Sequence, residues 1–273
     1  MDLLIEQKGK KTKLSDLGLF LIDFNDQSPY VEKDRKGIKN RHGYKPSKSY
    51  FKSKSMIVSG KFLGKNMFEV EEKKDDINAL LVTQLPFYVT KLLPVANLYG
   101  FELPGQRNGI DIKKVETRAY KYRYEMSLES EIMYTFIGKT DQGLLYDISF
   151  ELVTDSIPFG QTIPVNETVS NSIKYLGTAD CSQLEYPWWV KLTGSFHKFY
   201  LQIGSRRFEY DSKSTLTGEL IIKGFETTLN GKNVNQYTNY EHFILPSNNT
   251  GTIPIETNFT GTIEVLNKVE FYK

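Results

Sequence analysis

The sequence predicts a mainly β protein of two domains, the first carrying one covering helix and an extended arm. Three observations predict it. The chain holds 17 Tyr and 17 Phe in 273 residues, and both residue types favour pleated, half-buried surfaces. Period-two alternation recurs along the chain, whereas helical spacing is confined to one stretch. A turn-rich seam at 155–164 separates halves of different texture.

The first strand signal is Leu3, Leu4 and Ile5, followed by a basic, glycine-containing turn at 8–13. Residues 14–23 are dense in apolar side chains, with Gly18 marking a bend, and read as a β-hairpin. The character changes at 28–55. Lys33, Arg35, Lys36, Lys39, Arg41, Lys45, Lys48, Lys52 and Lys54 crowd this segment, against the acids Glu32 and Asp34. It holds too few apolar residues to fold alone. A solvated loop, an arm that orders on a neighbouring subunit, and a surface on which Tyr44, Tyr50 and Phe51 stack bases are the three readings open here.

A strand follows at 56–63. The helix is expected at about 75–85, with Asp75 or Asp76 as cap, Ile77, Leu80, Leu81 and Leu85 as its stripe, and Pro86 as its stop. One stripe on one helix is a cover for a sheet. Residues 87–93 read as strand up to Pro94, and 103–109 as a turn region. Next comes an alternating strand with Tyr120, Tyr122, Tyr124, Met126 and Leu128 on one face and Lys121, Arg123, Glu125 and Glu129 on the other. Residues 132–137 and 144–153 are its expected sheet partners; in the latter, Tyr146, Ile148, Phe150 and Leu152 alternate with polar neighbours.

Pro158, Gly160 and Pro164 then break the pattern, because proline lacks an amide donor and glycine permits unusual backbone angles. The domains are therefore expected at 1–157 and 158–273. Short strands at regular spacing fill the second half, with a tight hairpin turn at Asn230-Gly231, and indicate a β-sandwich.

Composition narrows function further. Hydrophobic content of 39% with 25% charged residues suffices for packed cores. A net charge of +2 creates no global basic field, so a nucleic-acid role would need local clustering; the clustered segment 28–55 shows no RNP-like or helix-in-groove pattern, and no nucleic-acid partner is expected. No stretch approaches the roughly 20 apolar residues of a membrane span, and residues 1–5 turn polar at once, so neither a membrane nor a signal peptide is expected. The N-x-[ST] matches at Asn166, Asn248 and Asn258 then carry no modification. With Cys181 the single cysteine, stability must come from burial.

Chemistry is sparse. His42, His197 and His242 form no metal-binding pattern, and no base accompanies Cys181. Residues 60–66 approach a phosphate loop, but one residue is missing before the lysine and Asn66 stands where a metal-binding hydroxyl belongs. The Ser49-Tyr-Phe-Lys52 run matches S-x-x-K without its companion motifs. The acids at 71–76 are explained by capping. No catalytic residue, metal or cofactor is expected. Trp188 and Trp189 are a possible glycan contact, although strand neighbours face opposite sides and only one would be exposed.

In its order of features the chain resembles the distal tail protein (Dit) family of siphophages of Gram-positive bacteria. The resemblance spans nearly the whole length. It rests on the opening strand from Leu14 to Ile22, the charged segment leading into 50–62, and the acidic-capped helix from Asp75 to Leu85. It rests also on Phe150-Glu-Leu-Val-Thr-Asp-Ser-Ile-Pro-Phe159 as closing strand and tether, and on Asn230-Gly-Lys-Asn-Val234 and Ile253-Pro-Ile255 late in the chain. The resemblance implies a ring-forming N-terminal domain and a C-terminal galectin-like β-sandwich. It implies a non-enzymatic homohexamer at the distal end of the phage tail, assembled in the host cytoplasm. That ring would join the tail tube protein to tail-fibre or receptor-binding proteins of the baseplate. Lys36, Lys39, Arg41, Tyr44, Lys48, Tyr50 and Lys52 would then form the inter-subunit arm. The alternative is a carbohydrate-binding adhesin module; a hydrolase lacks a nucleophile–base pair.

Overall fold

The computed structural model describes residues 1–37, 39, 42–45, 48–95 and 116–273. The chain divides into two compact units, Met1–Gly160 and Gln161–Lys273. Among the described residues the fold is mainly β, in antiparallel sheets with one α-helix. No described helix is long and apolar enough to cross a membrane.

In the first unit, β1 (Asp2–Gln7) and β2 (Lys10–Lys13) form a hairpin. Lys8 and Gly9 supply the two positive φ angles, 48° and 78°, that match a two-residue turn to strand twist. The expected hairpin at 14–23 is instead a 3-10 turn, Leu14–Leu17, closed by Gly18 at φ 80°, followed by β3 (Phe20–Asp26). Leu14 is fully buried, so the apolar density at 14–17 reflects burial, while Phe20, Leu21 and Ile22 belong to the strand.

Beyond β3 lie β4 (Val31–Lys33), β5 (Lys36–Gly37), β6 (Tyr44–Lys45) and β7 (Ser49–Phe51). They precede β8 (Ser55–Gly64), α1 (Met67–Leu81) and β9 (Phe87–Pro94). Then come β10 (Thr117–Leu128), β11 (Met133–Thr140) and β12 (Gly143–Thr154). The sheet runs in the order β2-β1-β9-β10-β12-β8-β3, with β11 also on β12. On β12 the buried side chains are Tyr146, Ile148, Phe150 and Leu152, one face of a period-two strand. They pack with Met56, Val58 and Phe62 of β8 and with Val70, Ile77 and Leu81 of α1, which covers the sheet.

The helix begins earlier than the acids at 75–76 suggest. Asn66, in extended conformation, accepts from the Glu69 amide at 3.0 Å and is the N-cap. The helix ends at Leu81, and Leu85 is exposed beyond it. Asn66 thus terminates the apparent phosphate loop as a cap: β8 runs to Gly64 and the helix starts three residues later, at Met67. The turn expected at 103–109 lies outside the described residues.

After the two-residue β13 (Gly160–Gln161), the second unit contains β14 (Val165–Val169), β15 (Ser172–Lys174) and β16 (Cys181–Ser182). Two long strands follow, β17 (Trp189–Ile203) and β18 (Arg206–Lys223). The remainder are β19 (Glu226–Leu229), β20 (Lys232–Asn233), β21 (Ile244–Leu245), β22 (Thr252–Thr257), β23 (Thr262–Lys268) and β24 (Phe271–Tyr272). The main path is β14-β23-β17-β18-β19-β20. Strands expected as separate pieces at 188–193 and 198–203 are one element, β17. A register shift between Phe196 and Lys198 bends the strand without ending it. Its first half pairs with β23 and its last residues with β22. The rings of Phe196, Phe199, Tyr210 and Phe259 pack together at that bend in stacked, tilted and edge-on pairs, with centroids 5.3 to 6.3 Å apart. The Asn230-Gly231 turn between β19 and β20 has φ angles of 48° and 78°, as a tight hairpin requires.

Candidate functional site

The described residues of the basic segment form a β-ribbon. β3 and β8 pair antiparallel up to Asp26↔Met56. Their ladder continues outward through Gln27 N–H to Ser55 O at 3.1 Å, Tyr30 N–H to Ser53 O at 2.7 Å and Lys52 N–H to Tyr30 O at 2.9 Å. It proceeds through Val31↔Phe51, Glu32↔Tyr50 and Lys33↔Ser49, and then Lys36↔Lys45 and Gly37↔Tyr44. Main-chain pairing gives order to a segment that lacks a core of its own. The side chains stay in solvent: Tyr44 is 65% exposed, Tyr30 59% and Tyr50 56%.

Charge is arranged along this ribbon. Lys52 Nζ lies 3.1 Å from Glu32 Oε2. Lys52, and after it the Tyr50 hydroxyl, hold the Glu32 carboxyl below its ordinary value of 4.5. The same contact raises Lys52 and Tyr50 above theirs. Asp34 faces Lys36 at 3.9 Å. Arg35 sits 5.8 Å from the Tyr44 ring centroid. Both acids are thus engaged and the ribbon keeps an excess of cations.

The root is built differently. Lys54 is only 5% exposed; its Nζ is 2.9 Å from Asp26 Oδ1 and donates to Gln27 O at 2.6 Å. Lys91 Nζ meets the other oxygen, Asp26 Oδ2, at 2.5 Å. The two ammonium groups lie over the Tyr124 ring at 5.2 and 5.7 Å. Burial, followed by a hydrogen bond with Tyr122 and the nearby Asp26 charge, keeps the Tyr124 phenol protonated far above its ordinary value. Lys54 also exchanges hydrogen bonds with Thr154, through its amide to Oγ1 at 2.9 Å and its carbonyl from the Thr154 amide at 3.0 Å. Phe51 packs edge-on against Phe159 at 5.2 Å. Lys54 is therefore an anchor, not a member of the exposed charge run.

Of the residues expected to form an arm, Lys36, Lys39, Tyr44, Lys48, Tyr50 and Lys52 are all exposed. Arg41 lies outside the described residues. The anchors Asp26, Lys91 and Thr154 carry no local sequence signal, because Asp26 and Thr154 meet Lys54, and Lys91 meets Asp26, across 28 residues or more of chain. Trp188 is fully buried, which withdraws it as a glycan contact. Trp189 is partly buried, with Lys223 Nζ 4.9 Å from its ring centroid.

Other chemistry dissolves into structure. Burial pushes the Cys181 thiol up, so the reactive thiolate is suppressed. His42 and His197 are exposed, and His242 Nδ1 faces Glu241 at 3.4 Å. Among the described residues no group of three His, Cys, Asp or Glu side chains could hold a metal ion.

No family model matches the chain. No curated protein matches it either. Among solved structures it is similar to the SPP1 Dit protein, described as a paradigm of the hub adsorption apparatus in phages infecting Gram-positive hosts. That alignment covers 98% of each chain at 11% identity, with a TM-score of 0.64. A second similarity is to the phage P2 baseplate in its activated conformation with Ca, over 98% of both chains at 7% identity and a TM-score of 0.40. From the opening hairpin to the last strand, this chain has the fold of the SPP1 Dit protein.

Proposed function

We propose that the chain is a structural hub protein of a phage tail. It assembles as a hexameric ring that joins the tail tube to the baseplate and its receptor-binding proteins, at the distal end of the virion. The observation that carries this reading is the ribbon: a main-chain-paired, firmly rooted element that holds Tyr30, Tyr44, Tyr50 and several lysines exposed to solvent. Exposed aromatics on a fixed backbone mark an interaction surface. The shared fold with a hub protein supports the same reading.

In this reading Lys36, Lys39, Arg41, Tyr44, Lys48, Tyr50 and Lys52 contact the next protomer. Such a contact is heterologous, and it closes only when its rotation divides the full turn. The unit Gln161–Lys273 is a galectin-like platform for tail-fibre or receptor-binding proteins. Its role is geometric and it catalyses nothing. The ring assembles in the cytoplasm of the bacterial host.

The test is to replace residues 34–48 by an Asn-Gly turn, which spares Lys54 and the β4–β7 pairing. Light scattering and negative-stain imaging should show rings for the intact chain and single folded chains for the shortened one. An intact chain that stays single at high concentration, or a shortened one that still forms rings, contradicts the proposal.

A further inference from the structure

A ribbon that grips a neighbour needs a surface to receive it, and one groove of the first unit has the matching chemistry. It lies between the end of α1 and the β10–β11 corner, a shallow groove open to solvent with a volume of about 590 Å³. Val82, Leu128, Ile132 and Tyr134 make an apolar floor, and Glu129 and Glu131 stand at the rim. The corner is rigid. The Glu129 amide donates to Glu151 O at 2.9 Å, and the Glu151 amide to Ser130 Oγ at 3.1 Å. Both rim glutamates are exposed, and neither is ion-paired to a described residue.

The surrounding field is negative as well. The Tyr134 hydroxyl donates to Asn78 Oδ1 at 3.0 Å. Its phenol is pushed up to about 12, by burial first and then by the charges of Asp75 and Glu71. Lys74 approaches the Tyr134 ring at 5.5 Å, but its ammonium is paired with Glu71 at 2.8 Å.

An apolar floor with unpaired acids at its rim fits a ligand that is aromatic and cationic together. This chain carries one, with Tyr44 and Tyr50 exposed beside Lys36, Lys39 and Lys48. The ribbon of the same chain does not fill the groove: none of its described residues lines it, and its tyrosines are exposed. Its ladder carries Gly37 some ten residues past Gln27, about 30 Å at the rise of an extended strand. We infer that the groove receives the ribbon of a second copy of this chain, with Glu129 and Glu131 pairing its lysines and a ribbon tyrosine seated on the apolar floor. The inference rests on the ring reading above and names the surface that reading leaves open.

Three full-length variants test it against the intact chain by light scattering. They are Glu129→Lys with Glu131→Lys, Lys36→Glu with Lys39→Glu and Lys48→Glu, and all five changes together. Either reversal alone should raise the concentration for half-assembly more than tenfold, and the combination should restore it. All five side chains are exposed, so circular dichroism should report native folds. The near-isosteric pair Glu129→Gln with Glu131→Gln, weakening assembly only at low salt, serves if the reversal disturbs the corner. Rings that survive both groove variants overturn the groove assignment and leave the ring reading standing. So does a combined variant that stays single while each reversal alone is folded. An intact chain that never assembles overturns both.

Discussion

At the scale of single residues, the ribbon is held by charges in two very different settings. Asp26 bridges two ammonium groups that have little water: Lys54 is 5% and Lys91 11% exposed. Removing the shared carboxylate leaves two cations uncompensated in a poorly solvated place, and breaking such a pair costs about 3 to 5 kcal/mol. Asp26→Ala should therefore lower stability by about 3 kcal/mol in urea titration, and Asp26→Asn by nearly as much. A loss under 1 kcal/mol would mean that water reaches the root. Glu32 sits in the opposite setting, exposed on the ribbon, and its effect is one of local order. Its carboxyl is held below 4.5 by Lys52 and Tyr50, so the folded ribbon favours the ionised form. The resulting stabilisation is present above the unfolded value and is lost as pH falls through the lowered one. Amide protection factors at 30–33 and 49–52, taken against the intrinsic exchange rate at each pH, should fall on acidification below 4.5, and Glu32→Gln should remove that dependence. Protection that is flat across this range would exclude the pair as a clasp.

Single elements show where local patterning suffices and where it does not. β12 was legible because burial of one face forces period two: Tyr146, Ile148, Phe150 and Leu152 face the core while Asp147, Ser149 and Glu151 do not. The Asn230-Gly231 hairpin was legible because few residues tolerate its backbone angles. The helix was legible in kind but not in position. Its buried residues, Val70, Ile77 and Leu81, are interleaved with exposed Met67 and Phe68 at the start, which hides the first two turns. The true cap is Asn66, whose side chain satisfies the Glu69 amide. Asn66→Ala should cost about 1 kcal/mol by loss of that cap, whereas Asp75→Ala and Asp76→Ala, inside the helix, should change the melting temperature little. A larger loss from the aspartates would return the helix start to position 75. The corner between β11 and β12 is equally specific. Gly143 has φ 133°, and a Cβ there would lie 2.4 Å from the Gly64 carbonyl oxygen. Gly143→Ala should unseat the β8–β12 pairing and lower stability by about 2 kcal/mol.

At the scale of the whole molecule, the sequence places a change of texture at 157/158; the compact units divide between Gly160 and Gln161. Proline and glycine punctuate locally, so a seam of that kind leaves a mark that can be read. The root of the ribbon and the acidic groove could not, because each gathers side chains from distant stretches, such as 26, 54, 91 and 124, or 78, 82 and 128–134. The units also differ in what can be observed. Both tryptophans, Trp188 and Trp189, belong to the second unit, so tryptophan emission reports that unit alone. Ribbon and groove belong to the first. Association that engages only folded first units stabilises them by mass action, about 2.7 kcal/mol when the free partner exceeds its dissociation constant a hundredfold. Tyrosines lie in both units, so near-ultraviolet tyrosine dichroism follows both transitions; its phase that does not coincide with tryptophan emission should rise in midpoint with protein concentration, while the tryptophan transition should hold its midpoint. In the chain shortened at 34–48 both transitions should become independent of concentration. A tryptophan midpoint that climbs with concentration as steeply as the tyrosine signal would mean that self-association runs through the second unit, and would move the assembly surface off the ribbon.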